Sequence, residues 1–326
     1  MALVYRIRKK WPISECLKLK LLLHSRDMKK ITLAGEFPFT EEQSERLRSL
    51  GEVNTVTFSS SEEWLDSVQD SDVILSDGDY LLENLERLQN VFVTYPYIEL
   101  GAFDAEKLKE RGVFVANTSG SNRDAIVEWV MFAVLSLFRK FPEYLNTPET
   151  KPFALHNSLV GKKVLIVGKG SIGSRIGEVC NVFKMEVDFY TRQDNLAEKS
   201  ANADLIINAL NCNSSSKNLL DEKFFLGLKT GSYFVTFARP YTYDVDGLIK
   251  SIDAGVVAGA GIDCDPEEPF DTENAFYQKC LNHPKVLVTP HVAFSAKEAS
   301  AQGRETAIQN IEAYLRGEPQ NILIKI

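Results

Sequence analysis

Gly168, Gly170 and Gly173 stand at Gly-x-Gly-x-x-Gly spacing directly after the apolar run Val164-Leu165-Ile166-Val167. A strand that turns through such glycines into a helix makes a dinucleotide site. The first glycine permits the tight turn, the second lets the backbone approach a pyrophosphate, and the third lets helix and strand pack closely. Ser171 and Ile172 fill the intervening positions. The helix behind them, expected over 174–183, offers N–H groups and the positive end of its dipole to phosphate. Further along, Arg239, Glu268 and His291 each fall at or near the end of a strand-like stretch: 233–238, 261–267 and 286–290. Open parallel sheets bind their ligands at that end of their strands. Taken singly these are a surface arginine, a loop carboxylate and a loop histidine. Their joint placement points to a site that holds an anion and moves a proton.

The strand after the fingerprint decides which dinucleotide is expected. A carboxylate at its end would accept from both ribose hydroxyls of NAD. That position falls at or near Thr191, in Tyr190-Thr191-Arg192-Gln193, and no acid is there; Asp188 lies inside the strand, two or three residues early. A neutral residue followed by arginine suits a 2′-phosphate, which repels a carboxylate and pairs with guanidinium. NADP is therefore the expected cofactor, with NAD as the other.

The elements that must position these residues alternate. From residue 31, strands at 31–34, 56–58, 73–75, 91–94 and 113–116 are interleaved with helices at 41–50, 62–68, 80–88 and 104–111. A long periodic helix covers 123–140. An arm containing Pro142, Pro148 and Pro152 runs over 141–158. A second alternating set follows the fingerprint, with strands at 187–190, 205–210, 233–237, 256–262 and 286–289. A helix at 296–315 and a short strand at 322–326 close the chain. Such alternation implies α/β architecture with parallel sheets covered by helices on both faces.

Composition narrows the class. The chain has 326 residues, 44% hydrophobic and 25% charged, with net charge −8. An acidic surface argues against nucleic acid, and no apolar run approaches the ~20 residues of a membrane span. Cys16, Cys180, Cys212, Cys264 and Cys280 form no Cys-x-x-Cys pair. They read as reduced thiols of a cytoplasmic protein, with no disulfide framework and no metal site. Residues 1–29 carry Arg6, Arg8, Lys9, Lys10, Lys18, Lys20, Arg26 and Lys29 against Glu15 and Asp27. A targeting peptide and a loosely packed basic extension are both open; the favoured reading starts the domain at Met28.

With these residues in view, the chain resembles the D-isomer-specific 2-hydroxyacid dehydrogenases from about residue 30 onward. The resemblance rests on Asn117-Thr118-Ser119-Gly120 ahead of Val127-Glu128, the three fingerprint glycines, Ala238-Arg239, Ile262-Asp263, Glu268-Pro269 and Thr289-Pro290-His291. It implies two doubly wound parallel-sheet domains, a Rossmann cofactor domain (121–292) inserted into a flavodoxin-like substrate domain (30–120 and 293–326). It also implies roles. Arg239 holds the substrate carboxylate and keto oxygen. His291 exchanges a proton with the carbonyl oxygen. Glu268 orients the imidazole and favours its protonated form. Ala238 lines the cofactor, and Asp263 touches the nicotinamide carboxamide. A homodimer through the 123–140 helix and the following arm is implied as well.

Departures from the family pattern bear on the substrate. Pro240 follows Arg239 where relatives usually have glycine. The Gly-x-Gly loop that normally binds the substrate carboxylate reads Thr94-Tyr95-Pro96-Tyr97-Ile98-Glu99. Tyr97 and Glu99 take the two glycine positions, and Glu99 aimed at a carboxylate would repel it. The favoured reading turns Glu99 away, with Tyr95 and Tyr97 supplying hydroxyls or an aromatic wall. The expected activity is reduction of a small 2-keto acid, such as glyoxylate or hydroxypyruvate, to the D-2-hydroxy acid. A dehydrogenase of an unusual substrate and a corepressor-like nucleotide sensor are the alternatives. Because no regulatory domain follows Ile326, a feedback-regulated phosphoglycerate dehydrogenase is not expected.

Overall fold

The computed structural model describes residues 28–98, 103–146, 155–264 and 273–323. Most of the basic 1–29 segment therefore lies outside the described residues. The chain divides into two compact units: residues up to Ser121 together with those from Ser300 onward, and Asn122–Ala299.

The first unit holds five parallel strands, β1 (Lys30–Ala34), β2 (Glu52–Val56), β3 (Val73–Ser76), β4 (Phe92–Thr94) and β5 (Phe114–Ala116), in the order β2-β1-β3-β4-β5. The expected strand at 56–58 is corrected to β2. Its sequence Glu-Val-Asn-Thr-Val has no apolar run, because it is an edge strand with largely exposed side chains. Backbone pairing with β1, from Lys30↔Glu52 to Ala34↔Val56, makes it a strand. Helix α1 (Glu41–Leu50) starts at a capping box in which Thr40 and Gln43 satisfy each other's backbone N–H groups. One face of the sheet buries Trp64, Leu81, Leu85 and Val93. The other buries Leu47, Phe92, Ile308, Ile311 and Tyr314, with the Phe92 and Tyr314 rings stacked at 4.2 Å. The chain's last long helix, Lys297–Leu315, thus covers this sheet. The expected terminal strand reduces to one antiparallel bridge between Ile322 and Ala116, and residues 324–326 lie outside the described set.

The second unit holds six parallel strands: β6 (Lys163–Val167), β7 (Glu186–Tyr190), β8 (Leu205–Asn208), β9 (Ser232–Thr236), β10 (Val257–Cys264) and β11 (Val286–Pro290). Their order is β11-β10-β9-β8-β6-β7. In both sheets the first strand has the second on one side and the third on the other. That reversal is where a doubly wound sheet opens a crevice. The expected 123–140 helix runs Arg123–Phe138 and is apolar nearly all round, with Ile126, Val130, Ala133, Val134 and Leu137 in the core. The arm begins with a short helix, Phe141–Asn146, where its three prolines suggested irregular chain. The unit retains the residues just after β11, because Val292 and Ala293 donate backbone N–H bonds to Asp263. The division accordingly returns at Ser300 and not at residue 293.

Candidate active site

The fingerprint is built as its spacing requires. Gly168 has φ +116°, and a Cβ there would sit 2.5 Å from the Ala209 carbonyl oxygen. A Cβ on Gly173 would collide with the carbonyl of Gly168. These glycines let β6, the turn and the next helix approach one another. Gly170 is different, since nothing lies within 4 Å of where its Cβ would be. Its bare face leaves room for a phosphate group, so these residues fit a dinucleotide. The helix begins at Ser171, not at 174, and runs to Val182 with Gly170 as N-cap. No side chain caps it, so its first N–H groups, those of Ser171, Ile172 and Gly173, are oriented for an anion.

Thr191 follows the end of β7, but its polar groups are committed. Its N–H and hydroxyl both donate to Asp194, at 2.7 and 2.8 Å. These bonds, with Lys199, hold the Asp194 carboxyl below the usual aspartate range. Lys199 also pairs with Asp188 at 3.0 Å. Arg192 meets no carboxylate among the described residues; its Nη2 reaches Asn213 Oδ1 at 3.5 Å. The sequence reading did not single out Asp194 or Asn213, because each lies beyond a strand end in a loop whose path only folding determines.

Arg239 follows β9 and is pinned through its backbone. Its carbonyl accepts from the Thr242 N–H at 3.0 Å and from the Thr242 hydroxyl at 2.9 Å. Buried Asn208 donates to Thr242 Oγ1 at 2.9 Å and to Thr236 Oγ1 at 3.3 Å, and the Ala238 N–H donates to Thr236 Oγ1 at 3.1 Å. Pro240 opens a 3-10 turn over Pro240–Thr242, a position that needs no N–H donor. The substitution of proline for glycine is therefore accommodated. Asn208 and Thr242 were missed by sequence reasoning, since a buried amide and hydroxyl carry no periodic signal.

His291 follows β11 and adopts φ +57°, a left-handed conformation unfavourable for a residue with a Cβ. Asp263, on the neighbouring strand β10, holds the loop in place. It is 3% exposed and accepts from Thr289 Oγ1 at 2.6 Å, Val292 N at 2.9 Å and Ala293 N at 2.8 Å. Burial pushes the Asp263 carboxyl up, against the pull of these bonds and of the His291 charge. Its position gives body to the strand-end role that the sequence also offered for it: Asp263 clamps the strand end that carries His291. The Phe294 ring packs edge-on to the imidazole at 5.3 Å. Glu268 lies outside the described residues.

In the first unit, the Tyr97 carbonyl accepts from Thr118 N–H and Oγ1, both at 3.0 Å, and Asn117 Nδ2 donates to the Ile98 carbonyl at 2.6 Å. The non-glycine loop is thus tied down to residue 98; Glu99 lies outside the described residues. Tyr95 and Tyr97 stack edge to face at 5.4 Å, and Tyr97 is 47% exposed. Two residues that the sequence reading passed over stand with Tyr97. Asp77 follows β3 at the sheet's crevice, and burial pushes its carboxyl up. Arg304 donates to Ser300 Oγ at 2.7 Å, while its buried Nε has no hydrogen-bond partner among the described residues. Burial first, then Asp77, raises the Tyr97 phenol, and Arg304 opposes this. Gly303 brings Arg304 close, because a Cβ there would sit 2.7 Å from the Pro96 carbonyl oxygen.

Among the described residues Cys180, Cys264 and Cys280 are buried and Cys212 is exposed, all as thiols; burial pushes Cys180 and Cys280 up to about 12. No cluster of three or more metal-ligating side chains occurs among them, and no helix among them is long and apolar enough to cross a membrane.

Residues 130–293 match the family model of the D-isomer specific 2-hydroxyacid dehydrogenase NAD binding domain. Glyoxylate reductase of Pyrococcus furiosus is 27% identical over 289 residues, covering 79% of this chain and 83% of that one. D-lactate dehydrogenase of Staphylococcus aureus is 26% identical over 222 residues, covering 60% and 67%. Among solved structures, an acyclic imino acid reductase in complex with NADPH and D-Arg has the same fold. Its TM-score is 0.76 at 20% identity, over 90% of this chain and 99% of that one.

Proposed function

Because this chain belongs to the D-isomer specific 2-hydroxyacid dehydrogenase family, and is thereby an NAD(P)-dependent enzyme of 2-hydroxy and 2-keto acids, we propose that it works as an NADPH-linked reductase of a small 2-keto acid. Glyoxylate and hydroxypyruvate are the first candidates. The observation that carries this reading is the grouping of Arg239, Asp263 and His291 at the C-terminal ends of the adjacent strands β9, β10 and β11.

When bound, the reduced nicotinamide supplies a hydride. Arg239 holds the substrate by its carboxylate and keto oxygen with its planar fork. His291 donates a proton to the carbonyl oxygen and recovers one in the reverse direction. Glu268 orients the imidazole and favours its charged form. Asp263 fixes the loop that carries His291. Arg192 favours NADPH, since Asp194, the carboxylate just beyond the end of β7, is spent on Thr191 and Lys199. In the first unit Tyr95 and Tyr97 are the side chains that would contact the substrate.

The protein acts as a homodimer through helix Arg123–Phe138, on which Phe132 and Leu135 remain 49% and 39% exposed. The corepressor-like reading is not favoured, since the matched relatives are named as enzymes. The test is oxidation of NADPH, and separately NADH, over glyoxylate, hydroxypyruvate, pyruvate and bulkier 2-keto acids. Turnover of one small acid with NADPH supports the reading. Cofactor binding with no turnover across the panel would sink it.

A further inference from the structure

Lys169 lies inside the fingerprint, between Gly168 and Gly170, and is exposed. Its Nζ sits 5.0 Å from the centroid of the Phe189 ring on β7. The β6–β7 ladder ends with Val167 opposite Tyr190. Gly168 and Lys169 follow the end of β6, and Thr191 and Arg192 follow the end of the adjacent strand β7, where the Asp194 N–H closes a turn on the Thr191 carbonyl. The Arg192 guanidinium reaches Asn213, in the loop after β8. In the sheet β6 lies between β7 and β8, so the loops that carry Arg192 and Asn213 follow the two strands on either side of the one that leads into Lys169. Lys169 and Arg192 thus flank the mouth of the fingerprint turn.

The charges there are unbalanced. Lys199 is paired with Asp188 and Asp194. Among the described residues no carboxylate pairs with Lys169 or Arg192, although the chain carries net charge −8. Among the described residues Lys169 meets an aromatic face and no carboxylate. Asn213 Oδ1 already accepts from Ser215 N at 3.1 Å and Ser215 Oγ at 2.6 Å, so its 3.5 Å contact with Arg192 is weak. Like charges at the ends of neighbouring strands repel each other, and an anion placed between them relieves the repulsion.

We propose that Lys169 and Arg192 together form a two-cation cradle for the 2′-phosphate of the adenine ribose, with Lys169 a determinant of cofactor choice. The inference rests on the reading of the cofactor as NADPH. A phosphate monoester carries about −1.5 to −2 charges and three acceptor oxygens near pH 7, more than one guanidinium neutralises. Arg192 offers a fork and Lys169 a point charge, each from the turn beyond one of two adjacent strands. The 2′-hydroxyl of NADH answers neither charge.

The test is binding, read without turnover. NADPH and NADH affinities are measured by nucleotide fluorescence, with adenosine 2′-monophosphate and adenosine 5′-monophosphate as competitors, on the wild-type chain and on Lys169→Met and Lys169→Arg. The expected result is that wild type prefers NADPH and the 2′-monophosphate. Lys169→Met should lose about 10-fold or more on the two ligands that carry a 2′-phosphate, NADPH and adenosine 2′-monophosphate, and less than about 3-fold on NADH, the loss of one charge-assisted contact. Lys169→Arg should retain most of the preference. If wild type prefers NADPH and Lys169→Met weakens neither nucleotide, or both equally, the cradle is wrong while the cofactor reading stands. If wild type binds NADPH and NADH equally, both fall. Lys169 is exposed, and matching melting curves confirm that the variants fold.

Discussion

At the residue scale the site is a set of side chains whose orientation is imposed by neighbours. His291 cannot choose its own geometry: a left-handed histidine costs on the order of 1–3 kcal/mol and persists only where surroundings over-determine it. The three hydrogen bonds into Asp263 provide that constraint. Replacing His291 with alanine should lower keto-acid reduction by about 100-fold or more, within the range that general acid catalysis spans. NADPH affinity should change little; unaltered turnover would remove His291 from the proton transfer. Asp77 gives a prediction in pH. Its folded-state pKa is raised by burial, so the folded chain holds the proton more tightly than the unfolded chain, where aspartate titrates near ~3.9. Ionisation therefore costs stability, beginning as pH rises above that value and complete above the folded pKa. Asp77→Asn should be more stable than wild type at pH 7, and the gap should close as pH is lowered toward 4. Urea midpoints at the two pH values check this, and a gap that does not change with pH would reject it.

At the scale of elements, the fingerprint separates packing from ligand access. Gly173 is needed for the turn itself, since its Cβ would strike the Gly168 carbonyl; Gly170 faces open space. Gly173→Ala should lower both melting temperature and cofactor affinity. Gly170→Ala should leave the melting temperature within a degree or two of wild type, yet weaken NADPH by about 10-fold or more, because the added methyl occupies the approach to phosphate. Equal melting losses in the two variants would contradict that division. The edge strand β2 teaches a related lesson about legibility. Its residues have no period-2 apolar signal, and it is a strand because β1 offers it a ladder. The apolar strands β3, β6 and β8, buried along most of their length, were readable directly because burial on both faces demands continuous hydrophobic runs.

At the scale of the whole molecule, the exposed apolar face of Arg123–Phe138 carries the expectation of a dimer. Phe132 and Leu135 are spaced one helical turn apart, and Phe141 just beyond the helix is 45% exposed. Light scattering of the full chain should give twice its 36.6 kDa mass. Phe132→Asp should shift the mass toward the monomer by placing a charge in an apolar interface. A monomeric wild type would reject the dimer.

The residue order by itself determined the α/β class, the fingerprint and its nicotinamide cofactor, and the placement of Arg239, Asp263 and His291 at strand ends. Those signals are local: glycine spacing, apolar runs and short motifs at strand ends. Tertiary structure decided the rest. Asp194 and Lys199 neutralise each other beside Thr191, whereas Lys169 and Arg192 meet no carboxylate among the described residues. Asp263 is a clamp as well as a strand-end acid. Arg304, more than two hundred residues beyond Asp77 in the chain, meets Tyr97 because Gly303 lets a helix rest on the Pro96 carbonyl. Such partners are distant in sequence and close only once the sheets are wound. Charge balance and hydrogen-bond satisfaction depend on that proximity, which no local pattern encodes.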